Sequence, residues 1–248
     1  MIDLHCHILP GLDDGSRDMD DSVAMARQAA ADGIEVVAAT PHIHPDHEVL
    51  IGELEDRVGR LNAALAEEGV GVRVVTGGEV SEPLLAELDD DDLRRVSLGG
   101  GGWVLVEPRP GPLSDHLELA VDALTRRGFR SLVAHPERHA GADFRERLEA
   151  LVAAGALIQV TAALIAEGPA APVMLELAAL GLVHVLASDA HSSRAGRPVK
   201  LSHGLERLQE VPPVAPFARW AVREGPSAIL AGQDVMPPFA TLADPGTA

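Results

Sequence analysis

Short apolar runs alternate with longer stretches in which apolar residues recur at helical spacing, and the alternation repeats along most of the chain. The runs that read as strands are Ile2–Leu4, Ile34–Ala38, Val72–Val75, Trp103–Val106, Ser131–Ala134, Leu157–Val160 and Val183–Ala187. Helical periodicity falls over Asp20–Ala31, Leu50–Glu67, Ser114–Arg127, Asp143–Ala153 and Ala171–Ala179. A glycine follows each (Gly33, Gly69, Gly128, Gly155, Gly181), as a left-handed helix terminus favours. Each unit of helix, glycine and apolar strand fits a right-handed parallel crossover. The pattern predicts an α/β fold, and seven strands come close to a full barrel.

Composition sharpens this picture. A chain of 248 residues suits one barrel domain, placed at 1–235, with 236–248, rich in proline and small residues, as a flexible tail. Hydrophobic residues make up 46% of the chain but aromatics only 2%, with no tyrosine, so the core is built from Ala, Val, Leu and Ile. No apolar run reaches the roughly 18 residues of a membrane span, and the N-terminus lacks a basic segment followed by a hydrophobic one. The expectation is a cytoplasmic protein without membrane insertion, and the single cysteine, Cys6, fits a reducing compartment. A net charge of -18 argues against nucleic acid as a partner, because neutralising phosphates needs clustered Lys and Arg. It leaves room for a phosphorylated substrate, since a compact cation site is locally positive on an acidic protein. The run Asp89-Asp90-Asp91-Asp92 reads as a solvated face. Gly99–Gly102 reads as a tight connection into the fourth strand, not a phosphate loop, because no Lys-Ser/Thr follows it.

What stands after each strand carries the chemistry. The first strand is followed by His5-Cys6-His7, the second by Thr40-Pro41-His42, the third by Gly77-Gly78-Glu79 and the fourth by Glu107. The fifth runs into His135 and the last into Ser188-Asp189-Ala190-His191. Parallel barrels build their sites at the C-terminal strand ends, so these groups should converge. His, Asp and Glu are the ligand set of zinc, manganese and iron. In extended backbone, His5 and His7 share a side and can reach one ion, and Asp189 and His191 have the same spacing.

The segments Ile2 to Gly15 (IDLHCHILPGLDDG), Ala39-Thr40-Pro41-His42, Ala134-His135-Pro136-Glu137-Arg138 and Ala187-Ser188-Asp189-Ala190-His191 resemble the polymerase and histidinol phosphatase (PHP) superfamily. Within it they resemble the bacterial manganese-dependent protein tyrosine phosphatases of capsule and exopolysaccharide clusters. The resemblance implies a distorted TIM-like (β/α)7 PHP barrel holding three divalent ions. It assigns His5, His7, Glu79 and Asp189 to one ion; Glu79, Glu107 and His135 to a second; and Asp14, His42 and His191 to a third. It also implies phosphate-binding arginines, with Arg138 as the clear match and Arg197 as the second, Arg194 being the alternative. Manganese is the metal implied, with zinc or iron also suited to such ligands. The implied partner is a phosphotyrosine-containing protein, a bacterial tyrosine kinase of polysaccharide assembly.

The chemistry expected is hydrolysis of a phosphate monoester by water activated between divalent ions. Three such ions carry about +6 against about -4 from Asp14, Glu79, Glu107 and Asp189, which leaves a pocket that attracts an anionic ester. A cysteine phosphatase is excluded, because its loop needs an arginine six positions after the nucleophile, where Leu12 stands. Cys6 then reads as a small buried residue. Two other readings stay open: a small-molecule phosphatase such as one acting on histidinol phosphate, and a metal-binding barrel that only docks a partner. His44 and His47 read as surface or entrance residues, His139 as a rim residue, and His116, His184 and His203 fall outside the ligand set. Specificity is expected in loops such as Glu48–Arg57 and Pro108–Ser114. An oligomer is possible, but no interface for it is legible.

Overall fold

The computed structural model describes residues 1–238, so the tail expected at 236–248 falls almost wholly outside the described residues. Among the described residues nine strand segments form: β1 (Ile2–Cys6), β2 (Val36–Ala39), β3 (His42–Ile43), β4 (Arg73–Thr76), β5 (Glu79–Ser81), β6 (Trp103–Glu107), β7 (Arg130–Val133), β8 (Leu157–Thr161) and β9 (Val185–Ala187). All pair in parallel, in the orders β1-β2-β4 and β3-β5-β6-β7-β8-β9. Register shows how nine segments occupy seven tracks. Ala39 pairs with Thr76 and, after the same three-residue step on both chains, His42 pairs with Glu79. Thus β3 continues β2 past Thr40-Pro41, and β5 continues β4 past Gly77-Gly78. A bridge between Cys6 and Ala190 joins β9 back to β1, closing a distorted seven-track barrel.

The double kink has a steric cause. Pro41 supplies no N–H to a ladder, and its carbonyl accepts from Glu79 N–H at 3.0 Å. Opposite it, a Cβ on Gly78 would lie 2.8 Å from Ile43 Cγ1 and 3.0 Å from Val96 Cβ, so only glycine lets β5 approach this closely.

Helices α1 (Met19–Ala31), α2 (Leu54–Glu67), α3 (Asp90–Val96), α4 (Asp115–Arg126), α5 (Phe144–Ala153), α6 (Ala162–Glu167), α7 (Ala171–Ala179), α8 (Ser202–Gln209) and α9 (Glu224–Leu230) surround the strands. The five glycines expected at helix ends all have positive φ. Asp89 accepts from Asp92 N–H and caps α3, with Asp90, Asp91 and Asp92 in its first turn, where carboxylates meet the positive end of the helix. Asp89, Asp90 and Asp91 are exposed, as expected of the acidic run, which also starts a helix.

Two apolar layers follow from strand alternation. Val37, Val74, Val104, Val106, Val133, Ile158, Val160 and Leu186 face the helices. Leu4, Ala38, Trp103, Leu105, Leu132, Leu157 and Val185 fill the interior, covered below by Ile229 of α9. β1 breaks strict alternation: Asp3 pairs with Val37 and Cys6 with Ala39, three steps against two. This bulge lets Leu4 and His5 both turn away from the outer layer that holds Cys6. Cys6 is buried and unpaired, as expected. Among the described residues, no helix is long and apolar enough to cross a membrane.

Candidate metal centre

The interior apolar layer ends at the C-terminal rim of the strands, where alternation continues with polar residues. Trp103 and Leu105 lead to Glu107 on β6, and Leu157 leads to Gln159 on β8. Four groups of side chains bring their donor atoms within 4.8 Å of one another: His7, Asp14, His42 and His191; His5, His135 and Asp189; His5, His7 and Glu79; His42, Glu79 and Glu107. The nine residues of these groups are the nine proposed ligands. The structure sets Glu107 beside His42, and His135 beside His5 and Asp189, while His135 Nε2 also reaches Glu79 Oε1 at 2.8 Å. His116, His139, His184 and His203 join no such group.

Hydrogen bonding from behind aims the imidazoles. His5 Nδ1 faces Gln159 Oε1 at 3.0 Å and His7 Nδ1 faces Asp13 Oδ2 at 2.7 Å. A carboxylate only accepts, so His7 Nδ1 carries the hydrogen, and the amide oxygen sets His5 likewise. Both Nε2 atoms then present lone pairs, and they stand 3.2 Å apart. Glu79 Oε2 lies 3.3 Å from each and 3.1 Å from His42 Nδ1, with no aligned donor. Asp189 Oδ1 is likewise buried without a hydrogen-bond partner. Converging lone pairs and orphaned carboxylate oxygens repel one another unless a cation lies between them, and this donor set fits a borderline-to-hard divalent ion.

The same convergence attracts protons. Burial alone would lower the pKa of His7, but its hydrogen bonds to Asp13 and Glu79 push it up to about 10. Burial opposes charge on Glu79, yet His5 and His135 outweigh it and hold that carboxyl well below its usual range. A cation binding at Nε2 therefore competes with a proton. His191 is driven the other way, to about 4, by burial and by the neighbouring His7, which keeps it neutral and able to ligate.

Two backbone features mark the rim. His135 (φ 28°) and Asp189 (φ 50°) are the non-glycine residues with positive φ among those described, and both are proposed ligands. Such conformations persist where surrounding contacts impose them. Asp189 N–H donates to His5 O at 2.8 Å and His7 N–H to Ala190 O at 2.9 Å, so β1 and the end of β9 fix each other. The loop after His7 folds back on itself, with Gly11 N–H donating to Ser16 O and Ser16 N–H to His7 O. A Cβ on Gly15 would lie 2.4 Å from both Cβ and O of His7, which explains the glycine of the Asp-Asp-Gly segment.

Sequence reasoning does not single out Asp13 and Gln159, although each positions a proposed ligand. Asp13 also accepts from His42 N–H at 2.9 Å and Gly15 N–H at 3.0 Å. Gln159 was legible as the one polar residue within an apolar strand. Asp21 on α1 is a third such residue, accepting from Ser193 N–H at 3.0 Å and Ser192 Oγ at 3.1 Å and so tying down the loop after His191.

Above these groups opens a cleft of about 420 Å3, lined by Asp14, His42, Glu107, Arg138, His191, Gly196 and Arg197. Arg138 donates to Asp189 Oδ2, and Arg197 donates to Asp189 O through Nε at 3.0 Å and Nη2 at 2.7 Å. Arg194 is exposed and lies outside this lining. The His47 ring stacks on that of His42 at 5.3 Å, and His139 stacks on His135 at 6.2 Å, so both sit at the rim.

Residues 1–211 match the family model described as capsular polysaccharide synthesis, CpsB/CapC. The tyrosine-protein phosphatase YwqE of Bacillus subtilis (strain 168) is 33% identical over 204 residues, 77% of this chain and 78% of that one. A putative tyrosine-protein phosphatase, CapC of Staphylococcus aureus, is 25% identical over 199 residues, 77% of either chain. A crystal structure from work on YwqE and on CpsB of Streptococcus pneumoniae, described as metal-dependent tyrosine phosphatases, matches with a TM-score of 0.81. It is 29% identical and covers 96% of this chain and 98% of that one.

Proposed function

Given that the chain belongs to the CpsB/CapC family of capsular polysaccharide synthesis, we propose that it is a metal-dependent protein tyrosine phosphatase. The observation that carries this is the pair of His5 and His7 Nε2 atoms 3.2 Å apart, ringed by unpartnered oxygens of Glu79 and Asp189, beneath a cleft walled by two arginines. Three divalent ions, manganese first, are the proposed occupants. His5, His7, Glu79 and Asp189 hold one, Glu79, Glu107 and His135 the second, and Asp14, His42 and His191 the third. Bound there, such ions stabilise charge on phosphoryl oxygens and make water a competent nucleophile near neutral pH.

The remaining work falls to side chains of this chain. Arg138 and Arg197 bind the phosphate, their planar guanidinium groups matching its paired oxygens. Both are pre-oriented by Asp189, so little side-chain freedom is lost when substrate arrives. Asp13 and Gln159 keep hydrogen on Nδ1 of His7 and His5, leaving Nε2 free to ligate. A tyrosine leaving group, with a phenol pKa near ~10, departs with less protonation than a serine alkoxide needs. The cleft of about 420 Å3 presents these charged and imidazole groups to the phosphate ester.

The proposed substrate is a tyrosine kinase of polysaccharide assembly, and the proposed setting is the cytoplasm, where the Cys6 thiol stays reduced. The test is to strip the full chain with a chelator, re-add manganese, zinc or iron, and compare a phosphotyrosine peptide with histidinol phosphate. Turnover of the peptide, restored by metal and far above that of histidinol phosphate, is expected. Faster turnover of histidinol phosphate would overturn the substrate assignment, and turnover unaffected by chelation would overturn the metal assignment.

A further inference from the structure

Beside the catalytic cleft lies a larger cavity of about 630 Å3. Its lining is apolar where Leu85 and Leu88, from the turns after β5, face Ala120 and Leu124 of α4. Leu119 stands at its lip, 61% exposed.

Loop 108–114 makes contacts toward both this groove and the rim of the cleft. On the groove side, Arg109 grips the buried Glu82 through two hydrogen bonds of 2.6 Å. On the cleft side, Gly111 O accepts from His139 Nδ1 at 2.9 Å and Leu113 N–H donates to His139 O at 3.1 Å, next to Arg138. Arg109 comes two residues after Glu107, and Glu82 three after Glu79. Chain geometry therefore starts the groove within roughly 7–10 Å of two proposed ligands.

The chemistry of the lining selects the occupant. Arg109 is satisfied by Glu82, and Arg127 by Asp90 and the carbonyls of Leu85 and Leu88. With both cations already paired, the groove offers apolar surface rather than free charge. An extended polypeptide advances about 3.3 Å per residue, so this distance corresponds to about two to three residues.

We propose that this groove seats an apolar side chain of the substrate polypeptide, two to three residues from the phosphotyrosine. The inference rests on the phosphotyrosine reading above. It makes the groove, with Leu119 and Ala120 on its α4 wall, a determinant of which tyrosine is dephosphorylated, separate from the groups that hold the phosphate.

The experiment uses the metal-loaded full chain and a set of phosphotyrosine peptides with Leu or Gly at each position two and three residues away on either side. p-Nitrophenyl phosphate, which cannot reach the groove, reports basal turnover. Wild type is expected to favour Leu over Gly at one position by about tenfold in kcat/KM, the scale of burying such a side chain. Leu119→Ser and Ala120→Arg should each reduce that preference below about twofold, with p-nitrophenyl phosphate turnover unchanged. Should Ala120→Arg lose basal turnover through misfolding, Leu119→Ser decides, because its position is already exposed. No Leu preference at any position, or a preference that survives both variants, overturns the proposal. A change of oligomeric state in Leu119→Ser without any peptide preference also overturns it, by giving the groove to a second copy of the chain. Failure of wild type on p-nitrophenyl phosphate and all peptides would instead remove the phosphatase reading itself.

Discussion

Replacing Asp13 by Asn removes one acceptor oxygen without changing the size of the side chain. In the native chain Oδ2 accepts from His7 Nδ1 at 2.7 Å and His42 N–H at 2.9 Å, while Oδ1 accepts from Gly15 N–H at 3.0 Å. Asn has a single acceptor oxygen, so its NH2 group must face a donor on one side. The Asp13 side chain is only 1% exposed, and bulk water cannot relieve the mismatch. If the NH2 turns toward His7, Nδ1 must accept and the imidazole hydrogen moves to Nε2, the nitrogen aimed at Glu79. If it turns toward Gly15, the His7 bond loses its charge. Either arrangement weakens the ligand, and losses behind a metal site typically cost about 10–100-fold in affinity, or about 1.4–2.7 kcal/mol. Calorimetric titration of chelator-treated protein with Mn2+ measures this directly, with circular dichroism as a check on the fold. The expected result is a dissociation constant weakened about 10–100-fold, with most turnover recovered at saturating metal. A folded Asp13→Asn variant that binds within about threefold of wild type would refute the positioning role.

Gly15→Ala should be worse than its size suggests, because the new methyl group meets the backbone carbonyl of His7. Overpacking of this kind costs about 1–3 kcal/mol, and thermal melts together with metal content should both fall. Chelation should lower the melting temperature by about 5–10 °C, since an ion held at about 100 times its dissociation constant contributes about 2.7 kcal/mol. An unchanged melt would deny that the clustered donors hold an ion. His184 is buried, accepts from Ile158 N–H at 2.9 Å, and has its pKa lowered by burial to about 4. The unfolded chain takes up this proton near pH 6.5 and the folded chain only near 4. Stability tied to His184 is therefore complete above pH 6.5 and falls by about 3 kcal/mol as pH drops to 4. Denaturant titrations at pH 4.5 and 7 should show a smaller difference for His184→Asn, which keeps an acceptor; equal slopes would contradict this.

The seven tracks and the proposed ligands at their ends were legible because apolar alternation stops where polar residues begin, as at Leu105 to Glu107. The breaks in two of the strands were not. β3 and β5 hold two and three residues, too few for periodicity to register, and their placement depends on Pro41 and Gly78 packing across the sheet. The short helices α3, α6 and α9 were missed for a related reason, since six or seven residues give about two turns and little repeat. The bulge in β1 was also invisible, because it is defined by the partner register and not by any residue of β1. Asp13 shows a different limit. Its acid type was plain, but two adjacent aspartates offer one ligand and one support, and only the fold of the 7–16 loop decides which is which. Arg197 lies in the cleft lining and Arg194 outside it, a distinction set by the loop that Asp21 anchors from another helix.

The seam between β9 and β1 sets the order in which this protein becomes functional. A nascent chain emerging from the ribosome displays the first two imidazoles early, yet Asp189 and His191 arrive only when most of the polypeptide has been made. Contacts at such sequence separation form late. Assembly of the proposed metal centre is thereby deferred until residue 191 has been made.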